Sequence, residues 1–156
     1  MIKRVIISFF LLNTLLIADS NRTIPLDKLF QTKLAIKNKT FNLWLAIDPK
    51  QKEEGLSHLS SDEVSLNQGM LFIYPFEENL SFWMKDTFFD LDMAYIKSNG
   101  TVIDMFTMPK MTEKLFSSSE KVRYVLELRA GELEKMGLKL GEKIEFSSLL
   151  KGLAKP

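Results

Sequence analysis

T-K-L-A-I-K-N-K-T-F-N-L-W-L-A-I, from Thr32 to Ile47, is the stretch that most directly indicates the fold class. Its second half places Phe41, Leu43 and the following apolar residues at alternate positions, which is the pattern of a strand with one buried face. Asn38 and Lys39 separate this half from an equally strand-like first half. The stretch therefore predicts a β-hairpin.

The rest of the chain predicts further short strands and two short helices. Asp48 and Pro49 are typical of a helix N-cap and first helical position, and Gly55 indicates where that helix ends. We predict further strands over residues 69–74 (stopped by Pro75), 80–87, 91–97, 101–108, 122–128 and 143–146, a second helix over 130–136, and irregular structure over 110–120. These elements predict a mostly β fold with two short helices. We expect a small, compact, antiparallel domain that is β-barrel-like and cradle-like.

The first twenty residues have the pattern of a secretory signal peptide. A basic start precedes the apolar run from Val5 to Ile17, and small residues follow at 18–20. An uncleaved N-terminal membrane anchor is the alternative, although the run is shorter than the roughly twenty apolar residues that span a bilayer. We expect export to the periplasm or the cell exterior, with no stable membrane insertion after cleavage. The remaining chain is predicted to form a flexible leader (21–28), a single β domain (29–148) and a tail (149–156).

Composition argues against several classes of function. Without residues 1–20 the chain carries 19 basic and 19 acidic residues, so charge gives no reason to expect a nucleic-acid partner. Cysteine is absent and His58 is the only histidine, so we expect no metal site, and we predict that His58 is solvated. No glycine-rich phosphate loop or dinucleotide motif occurs, and we expect no cofactor.

Signatures of a catalytic nucleophile are equally weak. Ser118 and Lys121 fit the S-x-x-K pattern of Ser/Lys enzymes, but the companion motifs are missing and so short a pattern arises by chance. The sequence contains no G-x-S-x-G elbow. We therefore predict no catalytic residues.

Two stretches combine charged and aromatic residues: F-W-M-K-D-T-F-F-D-L-D (82–92) and V-R-Y-V-L-E-L-R (122–129). Alternation along a strand would place Lys85 beside Trp83, and Glu127 on the same face as Arg123. The structural interpretation is that these charges form ordinary cross-strand pairs on a half-exposed sheet.

The order of several blocks resembles a known family. E-E-G-L, G-M-L-F-I-Y, F-W-M-K-D-T-F-F-D-L-D, G-T-V-I, R-Y-V-L-E-L-R-A-G and M-G-L-K-L-G-E-K-I, within about residues 33–147, are similar to the bacterial and archaeal family called domain of unknown function 192. The resemblance implies a small β domain and no established reaction. Carried over position by position, it marks as candidate ligand-binding residues Trp83, Lys85, Asp86, Asp92, Arg123 and Glu127. The family generally has Asn where Asp86 stands, so this chain lacks an amide that could donate as well as accept.

Together these features favour a non-catalytic protein that binds a small polar or anionic ligand. Lys85 and Arg123 would hold an anionic group, Trp83 would form an apolar wall, and Asp92 and Glu127 would orient the two cations. One alternative is a carboxylate-dependent hydrolase, which requires Asp86, Asp92 or Glu127 to face an open cleft with a perturbed pKa. The others are an interaction module for another envelope protein and a purely structural role for the charged cluster.

Overall fold

A computed structural model describes residues 22–146 and residue 149. The predicted signal peptide and most of the predicted tail lie outside the described residues. The described elements are a 3-10 turn (Leu26–Lys28), strands β1 (Gln31–Ile36), β2 (Lys39–Ala46), β3 (Gln68–Glu78), β4 (Ser81–Phe82), β5 (Leu91–Ile96), β6 (Val102–Met108), β7 (Phe116–Ser117) and β8 (Val122–Arg129), and helices α1 (Pro49–Glu54) and α2 (Glu132–Lys135).

The predicted hairpin and first helix are both confirmed. β1 and β2 pair antiparallel across the Lys37–Asn38 turn. The Asp48 side chain accepts a hydrogen bond from the Gln51 backbone N–H at 3.0 Å, and the Gln51 side chain accepts one from the Asp48 N–H. This reciprocal capping fixes the start of α1, as the Asp-Pro pair predicted.

Six strands form one sheet in the order β1-β2-β3-β8-β5-β6. All neighbours pair antiparallel except β2 and β3, which are parallel and are connected through α1. The mostly β prediction with two short helices is confirmed, but over the described residues the sheet is not closed into a barrel. Other segments of the chain cover both faces of the central strands, whereas edge strand β1 exposes one face to solvent.

The two faces of the sheet cover separate apolar cores. One core contains Leu126 and Ala94 together with apolar residues of α2 and of the segment after it. The other contains Val125 and Met93 together with residues from the connections at 56–64 and 80–89. A strand in the middle of this sheet is therefore buried on both sides.

β3 and the segment after it differ from the predictions. β3 does not stop at Pro75 but runs to Glu78, with a register shift between Ile73 and Glu78 in its pairing with β8. Because proline has no N–H to donate, the ladder is interrupted at Pro75 while the chain stays extended. The strand predicted over 80–87 is wrong beyond Phe82, and β4 pairs with β7 inside the segment predicted to be irregular.

At the C-terminal end, α2 is confirmed but covers only four residues. Gly137 follows it with φ +64°, a conformation that glycine adopts without steric penalty. The strand predicted over 143–146 is reduced to a single bridge between Thr101 and Lys143. None of the helices in the described part of the chain is long and apolar enough to cross a membrane.

The predicted leader makes specific contacts. The Arg22 guanidinium donates to the carbonyl oxygens of Gly55 at 2.9 Å and Ser57 at 2.8 Å, and it lies 3.5 Å from the Glu54 carboxylate. The backbone N–H of Ile24 also donates to Glu54. These contacts hold residues 22–24 against the end of α1.

Candidate functional site

Glu127 lies near the centre of the sheet. It is on β8, opposite Met70 of β3 on one side and Met93 of β5 on the other, and only 4% of its surface is exposed. Its side chain points to the same face as Val125, as alternation predicted. The expectation that this face of β8 is half-exposed is wrong, because β8 is a central strand with both faces covered.

A hollow of about 290 Å³ opens beside Glu127, and we call it the Glu127 hollow. Its apolar wall contains Phe72, Phe82, Met84 and Leu91. Its polar and aromatic lining includes Lys52, Tyr74, Trp83, Lys85, Thr87 and Glu127. The hollow therefore combines apolar and charged walls, with the buried Glu127 carboxyl group at its floor.

Burial raises the pKa of Glu127 to about 8. Among residues 22–146 and 149, no side chain or backbone N–H donates a hydrogen bond to its carboxyl group, and no cation pairs with it. At neutral pH the group is therefore mostly protonated. A neutral carboxylic acid can donate one hydrogen bond and accept others, which a carboxylate cannot.

Two lysines of the Glu127 hollow lie over aromatic rings. Lys52 Nζ is 4.2 Å from the centre of the Tyr74 ring, and Lys85 Nζ is 5.6 Å from the centre of the Trp83 ring. Burial lowers the pKa of Lys52, against the opposing effects of Glu78 and Asp48. Burial and the nearby carboxyl groups of Glu78 and Glu127 raise the pKa of Tyr74 to about 12, so its hydroxyl remains a donor.

The loop that carries Trp83 and Lys85 is held by backbone hydrogen bonds. Met84 N–H donates to the Thr112 carbonyl at 2.9 Å, and His58 N–H donates to the Asp86 carbonyl at 2.8 Å. His58 and Asp86 both adopt positive φ, at 60° and 55°. Trp83 lies next to Lys85, as predicted, but both residues belong to this loop and not to a strand.

A second hollow of about 440 Å³ adjoins the first, and we call it the His58 hollow. It is lined by Lys50, His58 and Asp86, by Thr23 and Ile24 from the predicted leader, and by five residues that also line the Glu127 hollow: Glu53, Glu54, Ser57, Trp83 and Lys85. The two hollows form adjacent parts of one cleft. His58 thus lies at a cavity wall, with its ring 6.5 Å from that of Phe88.

Asp92 is separated from Glu127 by the sheet. Its carboxylate accepts a hydrogen bond from the Thr107 hydroxyl at 2.8 Å and one from the Leu133 N–H, at the start of α2, at 3.0 Å. It lines a different hollow, with Thr107 and Gly131. The Asp92 carboxylate therefore lies outside the cleft that Lys85 and Glu127 line.

Arg123 is also displaced from the cleft. Its Nε donates to the Tyr74 carbonyl oxygen at 3.1 Å, and its guanidinium group lies 5.5 Å from the centre of the Tyr124 ring. Neither hollow includes it in its lining. Of the six candidate residues, the structure brings together Trp83, Lys85, Asp86 and Glu127 along one cleft, and it places Asp92 and Arg123 elsewhere.

Sequence reasoning missed Lys52 and Tyr74 as cleft residues. Lys52 is on α1, a helix whose position against the sheet cannot be read from its own pattern, and Tyr74 precedes the proline predicted to end a strand. Ser118 has a structural contact, since its hydroxyl accepts a hydrogen bond from the Leu80 N–H at 3.1 Å. In the part of the chain that the structure describes, no group of three or more His, Asp or Glu side chains is arranged to hold a metal ion.

Two solved structures are similar to this chain. A protein from Sinorhizobium meliloti 1021, described as a "putative transcription regulator", has 32% sequence identity and a TM-score of 0.67, over 74% of this chain and 91% of that one. A protein of unknown function from Novosphingobium aromaticivorans DSM 12444 has 22% identity and a TM-score of 0.66, over 75% and 84% of the two chains. A search of curated proteins gave no match. The family profile of domain of unknown function 192, described as "Uncharacterized ACR", matches residues 31–146. The chain therefore belongs to the family of domain of unknown function 192.

Proposed function

We propose that this protein binds a small polar ligand in the Glu127 hollow and does not itself catalyse a reaction. One observation carries the proposal. A carboxyl group that is 4% exposed and has no partner in the described part of the chain faces a hollow large enough for a small molecule. Buried polar groups in folded proteins are nearly always hydrogen-bonded, so an unpartnered one at a cavity wall favours an external partner.

The energetic cost of this arrangement supports the proposal. With a folded pKa of about 8, Glu127 must take up a proton on folding at neutral pH. This uptake destabilises the folded state by about 3 kcal/mol, which is a large part of the stability of an ordinary domain. A fold that retains such a group is typical of a protein that exchanges stability for function.

The surrounding groups suit a polar ligand. The protonated Glu127 carboxyl can donate and accept at the floor, and the Tyr74 hydroxyl adds a second neutral donor. Lys52 and Lys85 add donors from positions over aromatic rings. The proposed site thus includes Lys52 and Tyr74, which the sequence had not marked, and leaves out Arg123 and Asp92.

Saturation-transfer NMR on a mixture of amino acids, hexoses and di- and tricarboxylic acids tests this proposal. We expect at least one compound to receive saturation from the wild-type protein, and Glu127→Leu to abolish the signal because it removes the polar floor. Asp92→Leu, the matched replacement of a buried carboxyl group on the other face, should keep the signal if the variant folds, and Asp92→Asn serves as the control if it does not. The proposal is overturned if no compound gives a signal, or if Glu127→Leu leaves every signal unchanged.

The same carboxyl group favours general acid catalysis as a second candidate function. A protonated carboxyl with a pKa of about 8 in a cleft meets the requirement stated above for a carboxylate-dependent hydrolase. Hydrolysis of p-nitrophenyl esters or glycosides would then fall as the pH rises through about 8. Glu127→Gln would remove turnover while retaining binding, whereas wild-type protein without turnover on these probes would exclude this candidate.

A further inference from the structure

The two hollows meet at Trp83. The indole lines both of them and is 53% exposed, so it offers a flat apolar surface at the junction. The Glu127 hollow alone, at about 290 Å³, lies at the lower limit of ligand sites, which span roughly 300 to 1,000 Å³. A ligand that fills the cleft therefore has to be longer than one hollow and has to pass over Trp83.

The His58 hollow presents charges of both signs. Lys50 and Lys85 supply donors, whereas Glu53 and Asp86 supply acceptors. Glu54 also lines it, but this carboxylate is already bound by the Ile24 N–H and by Arg22. The two carboxylates offset the attraction of the two lysines for an anionic ligand, and the lysines offset the attraction of the carboxylates for a cationic one, so net charge gives neither an advantage. A neutral ligand with many hydroxyl groups satisfies both sets, because each hydroxyl donates and accepts.

We propose that the cleft binds a neutral oligosaccharide of at least two sugar rings, which crosses Trp83 with one end in the Glu127 hollow and the other in the His58 hollow. A pyranose ring has an apolar face that can pack on indole and a polar rim that can bond to the groups on either side. The neutral carboxyl of Glu127 suits a sugar hydroxyl at the buried end for the same reason. This assignment rests on the proposed function, and it names the ligand class and the extent of the site.

The chain offers a direct optical test of contact with Trp83. It contains two tryptophans, and Trp44 is buried with 5% exposure while Trp83 is exposed. In a Trp44→Phe background all tryptophan fluorescence comes from Trp83. Isothermal titration of the wild-type protein gives the same affinities independently if Trp44→Phe does not fold.

The experiment compares neutral trisaccharides (maltotriose, cellotriose and chitotriose) with glucose, N-acetylglucosamine, citrate and spermidine. We expect a trisaccharide to change Trp83 fluorescence and to bind at least tenfold more tightly than its monosaccharide. Lys50→Met, which changes only the His58 hollow, should reduce this preference without affecting the monosaccharide. Trp83→Ala should weaken trisaccharide binding at least tenfold, as measured by titration calorimetry.

The outcomes separate the two proposals. Equal affinity for trisaccharide and monosaccharide would overturn occupation of both hollows. Binding of citrate or spermidine that requires Glu127, with no binding of any sugar, would overturn the oligosaccharide while leaving the proposed function intact. Failure of every probe here, together with silence in the saturation-transfer screen, would overturn both.

Discussion

Two buried carboxyl groups, Asp92 and Glu127, lie on opposite faces of the same sheet and are exposed by only 3% and 4%. Asp92 accepts hydrogen bonds from Thr107 and from the N–H of Leu133 and thereby connects β5, β6 and α2. Within the described residues, Glu127 has no such partner and faces a hollow. Two equally buried carboxyl groups thus have different surroundings: Asp92 is hydrogen-bonded to neighbouring elements, whereas Glu127 faces an open hollow.

The largest expected effect is the loss of the Asp92 carboxylate. Asp92→Ala leaves the Leu133 N–H and the Thr107 hydroxyl without their acceptor, and we expect it to lower the free energy of unfolding by roughly 3 to 4 kcal/mol. Urea denaturation monitored by circular dichroism measures this change. A loss below about 1 kcal/mol would remove the contrast between the two carboxyl groups, because Asp92 would then not be structural.

Glu127→Gln is expected to change stability in the opposite direction. In the wild-type protein the folded pKa is about 8 and the usual value is 4.5, so the folded state binds one more proton between these values. Stability should therefore be highest below about pH 4.5, fall as the pH rises toward 8, and then level off. The Gln variant lacks this titration, so we expect a gain that is small near pH 4, grows as the pH rises and reaches about 3 kcal/mol near pH 7.

Urea denaturation of both proteins at pH 4, 6 and 8 checks this expectation. The informative quantity is the difference between the variant and the wild type, because other groups titrate equally in both. A difference that is the same at all three pH values would show that Glu127 titrates normally. The contrast between the two carboxyl groups would then fail because of Glu127 and not because of Asp92.

The smallest expected effect on stability comes from the loss of one hydrogen bond to Asp92. Thr107→Val removes the side-chain donor to Asp92 while the Leu133 N–H remains. We expect a loss of about 1 kcal/mol, which is typical of one such bond. Thr87→Val, in the Glu127 hollow, is the control and should cost less, since within residues 22–146 the Thr87 hydroxyl makes one hydrogen bond, a long one of 3.4 Å to the Lys85 carbonyl. Equal losses in urea titrations would mean that Asp92 does not depend on Thr107.

Sequence patterns predicted the hairpin and the helix start, because residues close together in the chain determine both. Alternation gave the β1–β2 hairpin and the side of β8 on which Glu127 lies. Asp48 and Pro49 gave the start of α1, because capping involves only neighbouring residues. The strand predicted over 80–87 failed because a run of large apolar residues also fits a partly buried loop, and here backbone bonds to Thr112 and His58 hold that loop.

The sequence by itself determined that this chain is a mostly β member of the family of domain of unknown function 192. It marked six residues as candidates for a site: Trp83, Lys85, Asp86, Asp92, Arg123 and Glu127. Only the tertiary structure decided which of the charged residues meet. The order of strands in a sheet depends on pairing between distant segments, and that order put β8 in the middle and buried Glu127. It also placed Asp92 on the far face and brought Lys52 and Tyr74 to the cleft. Alternation fixes the face of a side chain relative to its own strand, whereas burial depends on what the rest of the chain packs against that face.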